Sequence, residues 1–380
     1  MKVVVAMDSF KGSASAKQSC ESVRAGILAR LSDAQIVMRP MADGGEGTAE
    51  TLLEAADDGE WIRVETTGPL PSMRVEAGFV WLPQRGPGAL IEMAKASGLE
   101  LLAPDQMDPM VTTTVGTGEL LAAALDHGAK HVWLAIGGSA TVDGGIGVAK
   151  ALGWGLLDEE DRAVSPNGGG LRNIRRIERP ESRSYAEVEV DVLCDVDNPL
   201  LGVRGAAHIF GPQKGATVEM VQQLEAGLIN LASVIERDIG KDVRHMPGAG
   251  AAGGLGAGAV AFLDAKLVSG IDAVMDASGL NEALVDADWV VTGEGRFDQQ
   301  SLHGKVVSGV VERANRAGCR VAVLAGSIAL DEGAAWASGV EQVEAVSSAE
   351  IPLEEALARG PEFIEVAATR LAEKLRKTSG

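Results

Sequence analysis

The chain has 380 residues and a formal net charge of −20 at pH 7. That length allows two domains with sizeable cores. The charge argues against nucleic acid as a partner, because phosphate backbones are repelled by a strongly acidic surface. An anionic small substrate fits only where cations are focused locally.

Cys20, Cys194 and Cys319 are scattered and form no Cys-x-x-Cys, so neither a zinc cage nor a disulfide frame is expected. Asp8 interrupts the first apolar run too early for a signal peptide. The least polar long stretch, 247–263, is mostly Gly and Ala and too weakly apolar to span a bilayer. The expectation is a cytoplasmic protein with no membrane partner.

In chain order, Val3–Ala6 reads as a strand ending in Asp8-Ser9-Phe10-Lys11-Gly12. Ser15 and Gln18 suggest a capping box, and Ala16, Cys20, Val23, Ile27 and Leu31 recur at helical spacing. Ile36–Met38 is a second strand, ending in Asp43-Gly44-Gly45-Glu46-Gly47, and a helix follows over 48–56. From Trp61 to Glu92 short alternating runs punctuated by Gly-Pro and Pro predict antiparallel strands. Helices at 116–124, 144–152 and 217–235 and strands at 131–136 and 187–194 come next. After a Gly/Ala segment the β–α rhythm returns, with strands at 289–291, 321–324 and 343–345 and helices near 305–317, 331–338 and at the C-terminus. Five βα units from the two ends could share one parallel sheet, with the middle of the chain as an insertion. The expected division is 1–65 with 285–380 around an inserted 66–284.

Several strand ends carry chemistry. Trp289–Val291 runs into Thr292-Gly293-Glu294-Gly295-Arg296-Phe297-Asp298, with Ser301 and Lys305 beyond. Carboxylates and cations this close suit phosphate and magnesium, since Mg²⁺ takes oxygen ligands and phosphate takes Lys or Arg; a solvated loop with ion pairs is the bland alternative. Gly137-Gly138-Ser139 follows a strand and could cradle an anion, while Asp143 could hold a metal or cap the next helix. Asp195, Asp197 and Asn198 could converge on one cation, or form an Asx-turn before Pro199. Gly248, Gly250 and Gly253 match a dinucleotide pattern, but no apolar strand precedes them, so a nicotinamide dehydrogenase is disfavoured. No Walker A loop occurs. Five strand ends carry Asp or Glu with Gly, a density that independent capping needs would not usually produce.

The motifs Asp-Ser-Phe-Lys-Gly-Ser at 8–13, Met-Ala-Asp-Gly-Gly-Glu-Gly-Thr at 41–48, Gly-Gly-Ser-Ala-Thr-Val-Asp-Gly-Gly at 137–145 and Cys-Asp-Val-Asp-Asn-Pro-Leu at 194–200 closely resemble those of the bacterial type I glycerate kinases. So do Phe-Gly-Pro-Gln-Lys-Gly-Ala at 210–216, Gly-Ala-Ala-Gly-Gly-Leu-Gly at 250–256 and Thr-Gly-Glu-Gly-Arg-Phe-Asp at 292–298. One small departure is Ala14, where a larger apolar residue is expected. The resemblance implies an α/β fold in which a split Rossmann-like parallel-sheet domain carries an inserted second α/β domain. It implies ATP-dependent phosphorylation of D-glycerate, with 2-phospho-D-glycerate as product, ATP and Mg²⁺ as cofactors and a cleft between the domains as the site. A homodimer is an open expectation.

Chemistry and spacing then suggest roles, and which acid serves as base stays open. Lys11, Arg296 or both would take the glycerate carboxylate, with Asp8, Ser9 and Asp298 beside them. Asp43, Asp195 or Glu294 would hold Mg²⁺ or orient the attacking hydroxyl, making Asp195, Asp43 and Lys11 the expected catalytic set. Gly137, Gly138 and Ser139, with Gly250, Gly253 and Gly254, are expected nucleotide-phosphate loops. Lys214 and Lys305 would meet the transferred phosphoryl group. Two rivals are another sugar-acid kinase and a sugar-acid sensor that binds without turnover.

Overall fold

The computed structural model describes residues 1–10, 12–42, 48–55, 59–83, 86–181, 187–298, 301, 306–329, 332–347 and 351–377. The chain divides into two compact units, one of residues 1–43, 50–57 and 271–380, the other of residues 44–49 and 58–270.

The first unit holds a five-stranded sheet ordered Val340–Ala345, Arg320–Ala325, Trp289–Gly293, Lys2–Met7, Gln35–Met38, and every pairing is parallel. Numbered along this unit, the strand order is 2-1-3-4-5, a common doubly wound arrangement. Its three central strands, Lys2–Met7, Trp289–Gly293 and Arg320–Ala325, read as apolar runs because both faces are covered, whereas the edge strands carry Gln35, Glu341, Gln342 and Glu344. Val3, Val5 and Met7 pack with Cys20, Val23 and Ile27 of helix Ala16–Leu28 and Ile364, Ala367 and Leu371 of helix Gly360–Lys377. Val4 and Ala6 point the other way, towards Val307, Val310 and Val311 of helix Val306–Ala317. The capping box forms as expected: the Gln18 N–H donates to Ser15 Oγ at 3.2 Å and the Ser15 N–H to Gln18 Oε1 at 3.0 Å. Gly26 lets two helices close on each other, since a Cβ there would lie 2.3 Å from the Glu365 carbonyl oxygen.

The second unit holds a six-stranded mixed sheet ordered Lys266–Val268, Glu189–Leu193, His131–Ala135, Gly88–Glu92, Arg74–Leu82, Glu60–Thr67. The first four are parallel, and the last two join antiparallel. Amphipathic helix Val218–Ile239, capped by Thr217, buries Val221, Leu224, Leu228, Leu231 and Ile235, although Val218 itself stays exposed. Helix Ala251–Leu263 is almost wholly buried because its side chains are small enough to be surrounded.

The contacts divide the chain earlier than the changes of texture at 66 and 285 suggested. Glu60–Thr67 pairs along its whole length with Arg74–Leu82, which draws it into the second unit. Ile271 and Met275 belong to a core of the first unit. Strand Lys266–Val268 and the antiparallel pair of Gly155–Leu157 with Arg176–Glu178 were not anticipated; none holds more than two consecutive apolar residues. Among the described residues no helix is long and apolar enough to cross a membrane.

Gly293 closes a central strand, and a Cβ there would lie 1.8 Å from the Leu324 carbonyl oxygen. Gly293→Ala is expected to destabilise the protein by about 1–3 kcal/mol, the usual cost of overpacking. It should lower the urea midpoint at unchanged m; an unmoved midpoint would contradict the packing described.

Candidate active site

Each unit carries a cavity where parallel strands end. In the first, chain order reverses between Lys2–Met7 and Trp289–Gly293, and open α/β sheets bind ligands at such switch points. Asp8 and Glu294 directly follow these two strands, and the Asp8 N–H donates to the Gly293 carbonyl at 3.0 Å. They line a cavity of about 560 Å³ together with Ser9, Arg296 and Asp298. One wall is braced by short parallel pairing of Arg296–Phe297 with Ser327–Ile328. Arg296 Nε lies 3.2 Å from Asp298 Oδ2, and its side chain is 69% exposed, so this pair does little for stability and leaves the guanidinium within reach of a ligand. Phe10, Val306, Val346 and Leu357 give the cavity an apolar side.

The second cavity, about 460 Å³, lies at the carboxyl ends of His131–Ala135 and Glu189–Leu193. Gly137, Gly138 and Ser139 line it from the first strand end and Cys194 and Asp195 from the second; Lys214 comes from the short turn Pro212–Lys214. Asp195 Oδ1 accepts the Gly270 N–H at 2.9 Å. Lys214 is only 2% exposed. Its Nζ donates to Ser139 Oγ at 2.6 Å and to the Thr141 carbonyl at 2.7 Å. Burial pushes this ammonium down from its ordinary 10.5 to about 7, against the opposing pull of the Asp143 charge.

Ala251 and Ala252 also line the second cavity. Ala252, Gly253 and Gly254 are consecutively left-handed, with φ of 51°, 67° and 90°; such a conformation at a non-glycine residue is strained. Gly250, Gly253 and Gly254 are not themselves in the cavity wall. They permit close packing behind it, since a Cβ at Gly253 would lie 2.0 Å from the Thr141 carbonyl oxygen and one at Gly250 2.2 Å from that of Pro199.

The expected residues thus gather as two groups: Asp8, Ser9, Glu294, Arg296 and Asp298 in one cavity, and Gly137, Gly138, Ser139, Asp195 and Lys214 in the other. Lys11, Asp43 and Lys305 lie outside the described residues. Two readings are corrected. Asp143 does not offer itself to a metal, because its carboxylate is buried and accepts hydrogen bonds from Thr114, Gly145 and Gly147. Nor do Asp195, Asp197 and Asn198 converge: Asp197 pairs with Arg204 at 2.9 and 3.0 Å, and Asn198 Nδ2 donates to the Arg204 carbonyl. Ser327 and Ser347 line the first cavity and were missed, although both follow strands of the same parallel sheet. Among the described residues no group of three or more His, Cys, Asp or Glu side chains is placed to hold a metal ion.

Glycine-rich turns, a buried lysine and carboxylates at parallel strand ends are the equipment of an enzyme that handles phosphate groups. The family model described as the glycerate kinase family matches residues 3–376. A glycerate kinase from Halalkalibacterium halodurans is 43% identical over 97% of each chain. The glycerate 2-kinase of Escherichia coli is 43% identical over 94% of this chain and 93% of its own. A crystal structure of a protein assigned as glycerate kinase 2 from Salmonella typhimurium LT2 is 42% identical, with a TM-score of 0.88 over 100% of this chain and 99% of that one. The chain therefore belongs to the glycerate kinase family, and it is a kinase.

Lys214 also makes a stability prediction. Between about pH 7 and 10.5 the unfolded chain binds the proton that folded Lys214 releases, so this group makes stability rise with pH across that window. Below it the cost of burying the ammonium is fully present. Lys214→Met should flatten this part of the stability–pH curve in denaturant titrations. A slope equal to that of the wild type would contradict the titration assigned to Lys214.

Proposed function

We propose that this kinase transfers the γ-phosphoryl group of ATP to D-glycerate and releases 2-phospho-D-glycerate and ADP, with Mg²⁺ as cofactor. The observation that carries the reading is the buried Lys214 ammonium, held on the Gly137–Ser139 turn in the same cavity as Asp195. Phosphoryl transfer asks for positioning and charge neutralisation more than for covalent chemistry, and this set supplies both.

In this reading Lys214, Ser139 and the 137–138 backbone take the nucleotide phosphates in the second cavity. Arg296 and Lys11 take the glycerate carboxylate, and Ser9 and Asp8 bind its hydroxyl groups. Asp195 accepts the proton of the attacking hydroxyl as the new O–P bond forms and the bond to ADP breaks; Asp43 is the second acid set in the same role. Mg²⁺ takes one or two carboxylates and otherwise phosphate oxygens and water, so Asp195, Glu294 or Asp43 could hold it without a dedicated cage. When bound it would neutralise charge on the phosphate oxygens. In this reading both groups of residues serve one turnover. The cytoplasm, where ATP is abundant, is the compartment this reaction requires.

Transfer to the 2-hydroxyl rests on the resemblance to the bacterial family and on the name of the Escherichia coli relative. The ³¹P signal of the product should be a doublet, since one proton sits on the carbon bearing that oxygen; a triplet would place the phosphate on the terminal hydroxyl. Asp195→Asn, Asp43→Asn and Lys11→Ala should each lower kcat/KM by at least about a hundredfold. Near-wild-type kinetics in a folded variant would remove that residue from the machinery. The first cavity is roomy for a three-carbon acid, which favours a comparison with longer hydroxy acids. Faster ADP release with one of them would make the chain a kinase of a larger sugar acid.

A further inference from the structure

Asp143 is fully buried, yet it touches neither cavity. Its Oδ2 accepts from the Thr114 N–H and Oγ1, each at 2.8 Å, and from the Gly147 N–H at 3.3 Å; its Oδ1 accepts from the Gly145 N–H at 3.0 Å. These bonds fold the 143–147 turn around one carboxylate. The same stretch of chain, two and four residues earlier, supplies the Thr141 carbonyl and Ser139 hydroxyl that hold the Lys214 ammonium. A buried cation with only neutral partners is costly, and a nearby buried anion offsets that cost.

We propose that Asp143 is a positioning residue for the phosphate groups of the nucleotide, acting through Lys214 and the 137–147 turn; this rests on the assignment of the second cavity to ATP. It works in two ways. Its charge favours the ammonium form of Lys214, the form that attracts phosphate. Its hydrogen bonds keep Ser139 and Thr141 where that ammonium needs them. Other charges nearby are fewer or wetter. Cys194 and Asp195 line the cavity from the neighbouring strand end. The 104–110 segment, whose Met107 carbonyl meets Gly215, brings exposed Asp105 and half-buried Asp108, whose Oδ1 already accepts the Met110 N–H. Helix Ala206–Phe210 brings His208, which is exposed. Of these, Asp143 is the group that pulls the Lys214 titration upward; burial pushes its own carboxyl upward too, and the four hydrogen bonds from Thr114, Gly145 and Gly147 favour the carboxylate against that.

The test is kcat and KM for ATP across pH in the wild type, Asp143→Asn, Thr114→Val and Lys214→Met, each checked for folding by circular dichroism. The kcat/KM profile reports the free enzyme. Its alkaline limb should therefore lie near the Lys214 value of about 7. Asp143→Asn keeps the shape and removes the charge, so the limb should move about one pH unit lower and KM for ATP should rise more than kcat falls. Thr114→Val keeps the charge and loosens the turn; KM for ATP should rise severalfold with the limb in place. This second variant keeps the idea testable if Asp143→Asn does not fold. A folded Asp143→Asn with an unmoved limb, or Thr114→Val with wild-type KM, would overturn the positioning role. Lys214→Met should lose the limb and raise KM for ATP at least about tenfold. If it instead keeps both the limb and the KM of the wild type, the assignment of this cavity to ATP fails, which is a different result from failure of Asp143.

Discussion

An ammonium group removed from water must be solvated by the protein that buries it, and around Lys214 much of the second unit is arranged to do so. Two oxygens, one from Ser139 and one from Thr141, take the place of water. They are correctly placed only because the chain turns sharply between strand His131–Ala135 and helix Ile146–Ala151, and that turn closes on Asp143. The turn in turn needs a neighbour without a side chain: the Gly144 N–H donates to the Gly253 carbonyl at 3.0 Å, and Gly253 sits where no Cβ fits. A lysine whose charge is marginal gains most from a nearby anion, which suits the phosphate-binding role proposed for it.

The same constraint shapes both units at a coarser scale. Strands buried on both faces leave no room for polar side chains along their length. Chemistry is pushed to the carboxyl ends, where the chain leaves the sheet and its backbone N–H groups become available. Asp8, Glu294, Ser327 and Ser347 occupy such ends in the parallel sheet, and Gly137–Ser139 and Asp195 in the mixed one. Close packing of strand ends explains the glycines among them. At Gly293 and Gly326, a Cβ would run into the backbone of the neighbouring segment at 1.8 and 2.3 Å.

Much of this was legible before any coordinates. Apolar runs such as Val3–Ala6 and Trp289–Val291 identify buried strands, and the glycine and carboxylate after each identifies its useful end. The Ser15–Gln18 cap and the stripe of helix Val218–Ile239 follow from spacing alone. What stayed hidden depends on partners far away in the chain. Nothing local says that Asp143 spends its lone pairs on Thr114 or that Asp197 is taken by Arg204. The polar Pro-Gln-Lys-Gly stretch marks Lys214 for phosphate but does not show that the fold buries it against Ser139 and Thr141. Spacing ranks residues by chemistry; it does not report which of them are already committed to one another.

Hydrogen exchange measured by mass spectrometry, with Mg-ATP and D-glycerate added separately and together, tests most directly whether these strand ends do the work. The account predicts slowed exchange at 136–141 and 212–216 with the nucleotide and at 8–10 and 293–297 with glycerate. Protection confined to surfaces away from both cavities would contradict it.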